Sequence, residues 1–217
     1  MVARTWTRMT AMNYIYRARG NIYLNITNRC SSDCTFCLAK FTDKVFGYDL
    51  KLEVEPELED ILRDLELEFI EGSVEEVVFC GLGEPTMRFE ELLKIVEWLR
   101  LRRIPSRLDT NGHGQLLNPG HDVAMELAAA GLDSVSISLV AHNSEVYNQI
   151  SRPIFSKAFR AVLKFAEDCI REGIKVTMSV VDLPEVDIEA CRSIAGKIGA
   201  QFRIRKLITP ESEEVKA

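Results

Sequence analysis

The sequence has no apolar run approaching the roughly 20 residues that a membrane-crossing helix needs. Its first twenty residues carry Arg4, Arg8, Arg17 and Arg19 but no continuous apolar stretch, so a secretory signal is not expected. A surplus of basic residues is missing too. The formal charge of -6 argues against general affinity for nucleic-acid backbones or anionic membranes, so no strong nucleic-acid binding and no membrane association are expected. No segment repeats another at the residue level. What is left is a cytoplasmic chain of 217 residues, 47% hydrophobic, with enough apolar material for one sizeable core and most simply one domain.

Cysteine is present but oddly distributed. Of six, Cys30, Cys34 and Cys37 fall within eight residues at C-x3-C-x2-C spacing, which fits metal binding in a reducing compartment better than a disulfide framework. A structural zinc ion takes four N or S ligands and a cubane iron-sulfur cluster normally takes four cysteines. Three thiolates with no fourth ligand leave one iron open to a small molecule. The spacing alone also allows a zinc site completed by Cys80 or a histidine, or three unrelated thiols. Cys169 and Cys191 fall on apolar helical faces and read as small core residues.

Hydrophobic periodicity predicts strands at 21–27, 74–80, 106–110, 134–139, 176–181 and 202–207. Five helices separate them, carrying in turn Leu58 to Phe69, Phe89 to Leu99, a segment from about Pro119 to Ala130, Phe155 to Ile170, and Ile188 to Ile198 behind an Asp187 cap. Strict alternation of this kind predicts βαβ crossovers and a parallel sheet. The expected organisation is an irregular arm at 1–20, a core domain at 21–208 and a mobile tail at 209–217. Strands buried on both faces should be almost continuously apolar. Here Asn25 and Thr27, Arg107 and Asp109, Ser136 and Ser138, Thr177 and Ser179, and Arg203 and Arg205 each repeat at a spacing of two. A one-sided polar wall suits an open, partial (β/α)6 barrel of the TIM type, curved but not closed.

Ligands of parallel α/β architectures collect beyond the carboxyl ends of the strands, where the irregular motifs lie. In Gly83-Glu84-Pro85 the glycine allows close backbone approach, and the proline holds Glu84 extended with its backbone oxygens exposed. Thr110-Asn111-Gly112 reads as an Asn-Gly turn. His113, His121 and His142 are expected to be solvated or capping residues. Arg152 is either a surface charge or the partner of a carboxylate. Arg203 and Arg205 either anchor an anionic substrate or form a buried ion pair with Asp109 or Glu84.

The cysteine loop, with aromatic Phe36 just before Cys37, resembles the cluster loop of the radical S-adenosylmethionine (SAM) enzymes. The resemblance implies that Cys30, Cys34 and Cys37 hold a [4Fe-4S] cluster and that SAM chelates the open iron. SAM is then split to a 5'-deoxyadenosyl radical that abstracts hydrogen from a substrate. It further implies that Gly83, Glu84 and Pro85 bind the methionyl amino group, that Thr110, Asn111, Ser136 and Ser138 lie near ribose and carboxylate, that Phe36 packs near the adenine, and that Arg152 pairs with a carboxylate. No catalytic residue is assigned beyond the cluster. Leu82 replaces the first of the family's adjacent glycines, and Val140 stands where many relatives have Asp or Asn. The longer strings Tyr23 to Cys30, Phe79 to Thr86, Asp109 to Gly114, Ser136 to Leu139 and Phe202 to Arg205 look like the TatD-associated radical SAM proteins. No His-x-His pair or carboxylate set of the kind used by TatD metal sites is present. The implied partners are an unidentified substrate, small molecule or protein, and an electron donor such as flavodoxin or ferredoxin. A glycyl-radical activase fits as well, because no long carboxyl-terminal substrate domain is expected and a large substrate would itself close the barrel. A non-catalytic zinc-binding module is the reading from a different class.

Overall fold

The computed structural model describes residues 14–72, 74–212 and 215. Two adjacent strands open the chain, β1 (Ile15–Ala18) and β2 (Asn21–Leu24), and a small hairpin follows, β3 (Lys44–Val45) with β4 (Tyr48–Asp49). Then come α1 (Leu58–Glu71), β5 (Val77–Phe79), α2 (Phe89–Leu101), β6 (Ser106–Thr110), α3 (Gly114–Leu117), α4 (Val123–Ala130) and β7 (Ser134–Ser138). The chain continues through α5 (Ser144–Ser151), α6 (Ala158–Arg171), β8 (Lys175–Val181), α7 (Ile188–Ile198) and β9 (Gln201–Arg205). The main sheet has the order β1-β2-β5-β6-β7-β8-β9, with β1 antiparallel and every other neighbouring pair parallel. Six parallel strands in chain order with helices between them form the expected open, partial TIM-like barrel.

Each strand sends one set of side chains into the helical layer. Leu24, Phe79, Leu108, Ile137 and Met178 are fully buried there against residues such as Leu92, Val96, Val162 and Phe165. Where a capping residue stands at the right place, the helix starts there: Asp122 accepts from Met125 N, Asn143 from Val146 N and Asp187 from Ala190 N.

Three features differ from the sequence expectation. The part of the supposed irregular arm that is described, from Tyr14 on, contains a strand, because Arg19 and Gly20 both take positive φ (51° and 80°) and turn β1 back onto β2. Arg-Gly announces such a two-residue turn far less clearly than Asn-Gly would. The rest of the arm, 1–13, lies outside the described residues, as does most of the tail beyond 212. Secondly, α3 and α5 are additional helices, too short to carry a legible 3.6-residue period. Thirdly, β3 and β4 form inside the long loop after the cysteines, and Tyr48 packs on Tyr16 with ring centroids 5.4 Å apart.

Candidate cluster and cofactor site

The cysteine loop leaves the carboxyl end of β2 and is fixed from two sides. Asn28 bonds both ways with the Leu52 backbone, Nδ2 to O at 2.7 Å and Leu52 N to Oδ1 at 3.2 Å. On the other side Asp33 N donates to Arg152 O (3.2 Å), Thr35 N to Ile150 O (2.8 Å) and Ile154 N to Ser31 O (3.0 Å), so the loop lies along the segment between α5 and α6. Cys30 is exposed, Cys34 and Cys37 are half-buried, and all three are free thiols. Asn111 Nδ2 lies 3.7 Å from Cys30 Sγ, and Ser151 Oγ lies 3.7 Å from Cys34 Sγ.

Gly83 is glycine because of this loop. A Cβ there would stand 2.3 Å from Thr27 O and 2.6 Å from Arg29 O, so the turn after β5 rests directly on the backbone that leads into Cys30. Next to it, Glu84 is buried. Its Oε1 accepts from Thr86 N (3.1 Å), Thr86 Oγ1 (2.7 Å) and Thr110 Oγ1 (2.8 Å), and its Oε2 from Asn111 N (2.7 Å). Burial pushes the carboxyl above its usual range, while these hydrogen bonds pull the other way. One side chain thereby locks the ends of β5 and β6 together.

A second buried network lies under the loop. His113 is fully buried, with Nδ1 2.9 Å from Ser31 Oγ and Nε2 2.7 Å from Tyr147 OH, and Asn111 Nδ2 donates to the same Ser31 Oγ at 3.0 Å. Burial lowers the imidazole to about 4, which keeps it neutral. A neutral ring donates from one nitrogen and accepts at the other, so both contacts are satisfied.

The concave face of the sheet is different in kind. Tyr16 stacks on Tyr23 at one side with centroids 5.1 Å apart, and Arg203 and Arg205 rise from β9 at the other. Between them, Arg107 Nη1 is 3.3 Å from Asp109 Oδ1 and Arg107 Nε is 3.1 Å from Glu76 Oε1. Arg203 Nη2 donates to Ser136 Oγ (3.1 Å) and Arg205 Nη2 to Ser138 Oγ (3.2 Å). Cys80 belongs to this wall: the charges acting on its thiol are those of Asp109, Arg205 and Arg107, and burial raises its pKa.

The residues present fit an iron-sulfur cluster. Three free thiols project from one loop, each of two sulfurs has a hydrogen-bonding neighbour, and such neighbours tune a cluster's potential. Among the described residues no three His, Cys, Asp or Glu groups converge as they would on a single ion.

The family model for the radical SAM superfamily matches residues 24–197, the span from the end of β2 to the end of α7. The chain belongs to the radical SAM superfamily of enzymes. Among the proteins it resembles are the probable GTP 3',8-cyclase of Methanocaldococcus jannaschii, 30% identical over 206 residues, and that of Thermococcus kodakarensis, 29% identical over 193. These alignments cover 90% and 88% of this chain but 61% and 57% of the relatives, so the chain spans about three-fifths of their length. Of solved structures, Streptococcus suis SuiB bound to S-adenosylmethionine superposes with a TM-score of 0.67 at 17% identity, covering 88% of this chain and 41% of that one. TYW1 with a lysine-pyruvate adduct bound gives 0.61 at 12%, covering 90% and 67%. At these identities the likeness is one of fold.

Of the strand-end residues named from the sequence, Gly83, Glu84, Thr110 and Asn111 gather beneath the cysteine loop, whereas Ser136 and Ser138 lie on the concave wall. Gly83 approaches protein backbone. Glu84 is extended as expected (φ -100°, ψ 112°), but its carbonyl accepts from Met87 N, so its backbone oxygen is engaged inside the turn. Pro85 is buried at the start of the following 3-10 turn. Thr110 is tied to Glu84, Asn111 bridges Cys30 and Ser31, and Phe36 packs against the core. Ser136 and Ser138 serve the two arginines. Arg152 is exposed, its guanidinium 3.7 Å from Asp33. The histidines divide: His121 is on the surface between Glu126 and Glu90, His142 accepts from Asp187 N, and His113 is neither solvated nor capping but the centre of the buried network. Val140 takes φ +66° in a three-residue turn closed by Ala141 N to Leu139 O at 2.8 Å, a strained conformation for a β-branched residue. Tyr147, Ser31 and Ser151 were not legible as site residues, since their partners are 34 to 119 positions away.

Proposed function

We propose that this chain carries out SAM-dependent radical chemistry, with Cys30, Cys34 and Cys37 holding a [4Fe-4S] cluster and SAM completing the coordination of the iron that lacks a cysteine. The observation that carries this reading is the three-thiol loop, seated on Gly83 and locked by Glu84, Asn111 and His113 at the mouth of a polar-walled barrel. When bound, the cluster and SAM together supply reductive cleavage of SAM and a 5'-deoxyadenosyl radical that abstracts hydrogen from the substrate. The chain's own residues position and shield. Asn111 donates toward Cys30 and the Ser151 hydroxyl lies beside Cys34, the turn at Gly83-Glu84-Pro85 borders the amino group of SAM, and Thr110, Asn111, Ser136 and Ser138 border its ribose and carboxylate. Phe36 lies on the adenine side, and Arg152, exposed beside the loop, pairs with a carboxylate of SAM or substrate.

The strings that resemble the TatD-associated proteins support that narrower placement. The substrate is unidentified. The GTP 3',8-cyclase relatives support a nucleotide-like molecule, and SuiB, whose structure is also known bound to its precursor peptide, supports a peptide or protein substrate of the kind a glycyl-radical activase takes. A reducing, cytoplasmic compartment with flavodoxin or ferredoxin as electron donor fits six free cysteines. The test is anaerobic reconstitution with iron and sulfide, followed by dithionite and SAM. Roughly four irons per chain and formation of 5'-deoxyadenosine are expected. One tightly held zinc without SAM cleavage would favour the non-catalytic module.

A further inference from the structure

The parallel strands place Arg203 opposite Ser179 and Arg205 opposite Val181, one register step apart on the concave side of β9. Both reach back across β8 to β7, where their partners are the neutral hydroxyls of Ser136 and Ser138. Among the described residues neither arginine has a carboxylate within ion-pair distance, whereas Arg17, Arg29, Arg63, Arg88, Arg102, Arg107 and Arg192 each do. Arg205 also keeps a buried Nε with no hydrogen-bond partner, and on β6, beyond β8 and β7, the buried Asp109 Oδ1 makes no hydrogen bond: Arg107 is close enough to pair with it but not aligned to donate, and the Cys80 thiol is another protein neighbour of the carboxylate.

A guanidinium partly withdrawn from water and given only neutral partners, as Arg205 is, is costly; Arg203 beside it is exposed, and the fixed fork of N–H donors on each matches a carboxylate or phosphate two bonds at a time. An unpartnered carboxylate oxygen nearby asks for the reverse, an N–H or O–H. We propose that Arg203 and Arg205 form the anion-binding end of the substrate site, taking a carboxylate or phosphate group, with Asp109 accepting a hydrogen bond from an N–H or O–H of the same molecule. This assignment rests on the proposed SAM-dependent reading for its place in a reaction, though the anion site is testable without it. The anion could belong to the substrate or to SAM. We assign it to the substrate; because Arg203 and Arg205 hydrogen-bond Ser136 and Ser138, which border SAM in that reading, SAM affinity is the measurement that separates the two. The hydroxyl of Ser138 then stands between the two ligands.

The probes are inorganic pyrophosphate and succinate, titrated calorimetrically into the anaerobically reconstituted full chain, with SAM affinity measured on the same samples. Saturable binding of at least one probe at millimolar concentration is expected. In R203Q/R205Q that affinity should fall at least about tenfold while SAM affinity changes by less than about twofold. R203K/R205K, which keeps the charges and loses the fork, should fall between the two. Parallel loss of SAM affinity with no change for either probe would make the anion SAM's own carboxylate and overturn the assignment. So would unaltered binding of both, or the absence of saturable probe binding to the unsubstituted chain. Failure of SAM cleavage with probe binding intact and arginine-dependent would instead refute the enzymatic reading and leave the anion site standing.

Discussion

The strand-end loops and the concave wall are built by opposite rules. Around the cysteines the buried polar groups close on one another: Glu84 has four protein donors and His113 has a partner on each nitrogen. On the wall below, Arg107 and Asp109 of β6 and Arg205 of β9 keep buried atoms without hydrogen bonds. A network that is complete in itself rigidifies, whereas an incomplete one is costly and persists where something else finishes it. The first region therefore reads as a frame that holds the cysteine loop in one shape, and the second as a surface shaped for what enters the barrel.

The largest effect should come from the loop. Cys34→Ala should abolish the brown chromophore and most of the bound iron after reconstitution, whereas Cys169→Ala, in the core of α6, should keep both, as read by visible absorbance and iron content. Next is the contact beneath it. Gly83→Ala forces a methyl group into the backbone at Thr27 and Arg29 and should cost several kcal/mol and weaken cluster retention, measured by urea unfolding and iron release.

His113 tests the completeness of the frame through pH. The unfolded imidazole binds a proton near 6.5 and the folded one only near 4, so its stabilising share is complete above that window and is lost as pH falls through it. The share amounts to about 3 kcal/mol. Urea midpoints of the unsubstituted chain and of His113→Gln should therefore differ most at pH 7 and converge toward pH 4; a pH-independent difference would remove the imidazole from that role. Glu84→Gln turns one acceptor toward its donors into an amide and should cost about 2 kcal/mol. Arg205→Gln, on the wall, should change stability by less than about 1 kcal/mol or raise it, because it removes a buried cation with no carboxylate partner. Equal losses at both sites would erase the contrast between them. Smallest of all, Gly196→Ala in α7, where the new methyl meets nothing within 4 Å, should gain about 0.5–1 kcal/mol.

Much of this was legible because it is written at short range. The C-x3-C-x2-C spacing, the Asp187 cap and the bounds of β6 are local patterns, and the polar wall follows from a period of two repeated on β6, β7, β8 and β9; the fifth pair, Asn25 and Thr27, lies beyond β2 and bonds the following loop at Leu50 and Glu55. What was hidden depends on pairs far apart in sequence. Ser31 and His113 are 82 residues apart and meet only once β2 and β6 are in one sheet, so His113 read as a loop histidine. Gly83 was legible only as a point of close approach, for the same reason: a glycine signals that something comes close, not which backbone does. The hairpin of β1 with β2 escaped because Arg19 adopts a backbone conformation its side chain does not favour.

The central claim is that one iron of the cluster has no side-chain ligand and is the one that meets SAM. Mössbauer spectra of the chain reconstituted with iron-57, recorded with and without SAM, address it directly. A single iron should shift on addition of SAM while the three cysteine-bound irons stay as they were; four irons unchanged by SAM, or a spectrum with no cluster at all, would contradict the account.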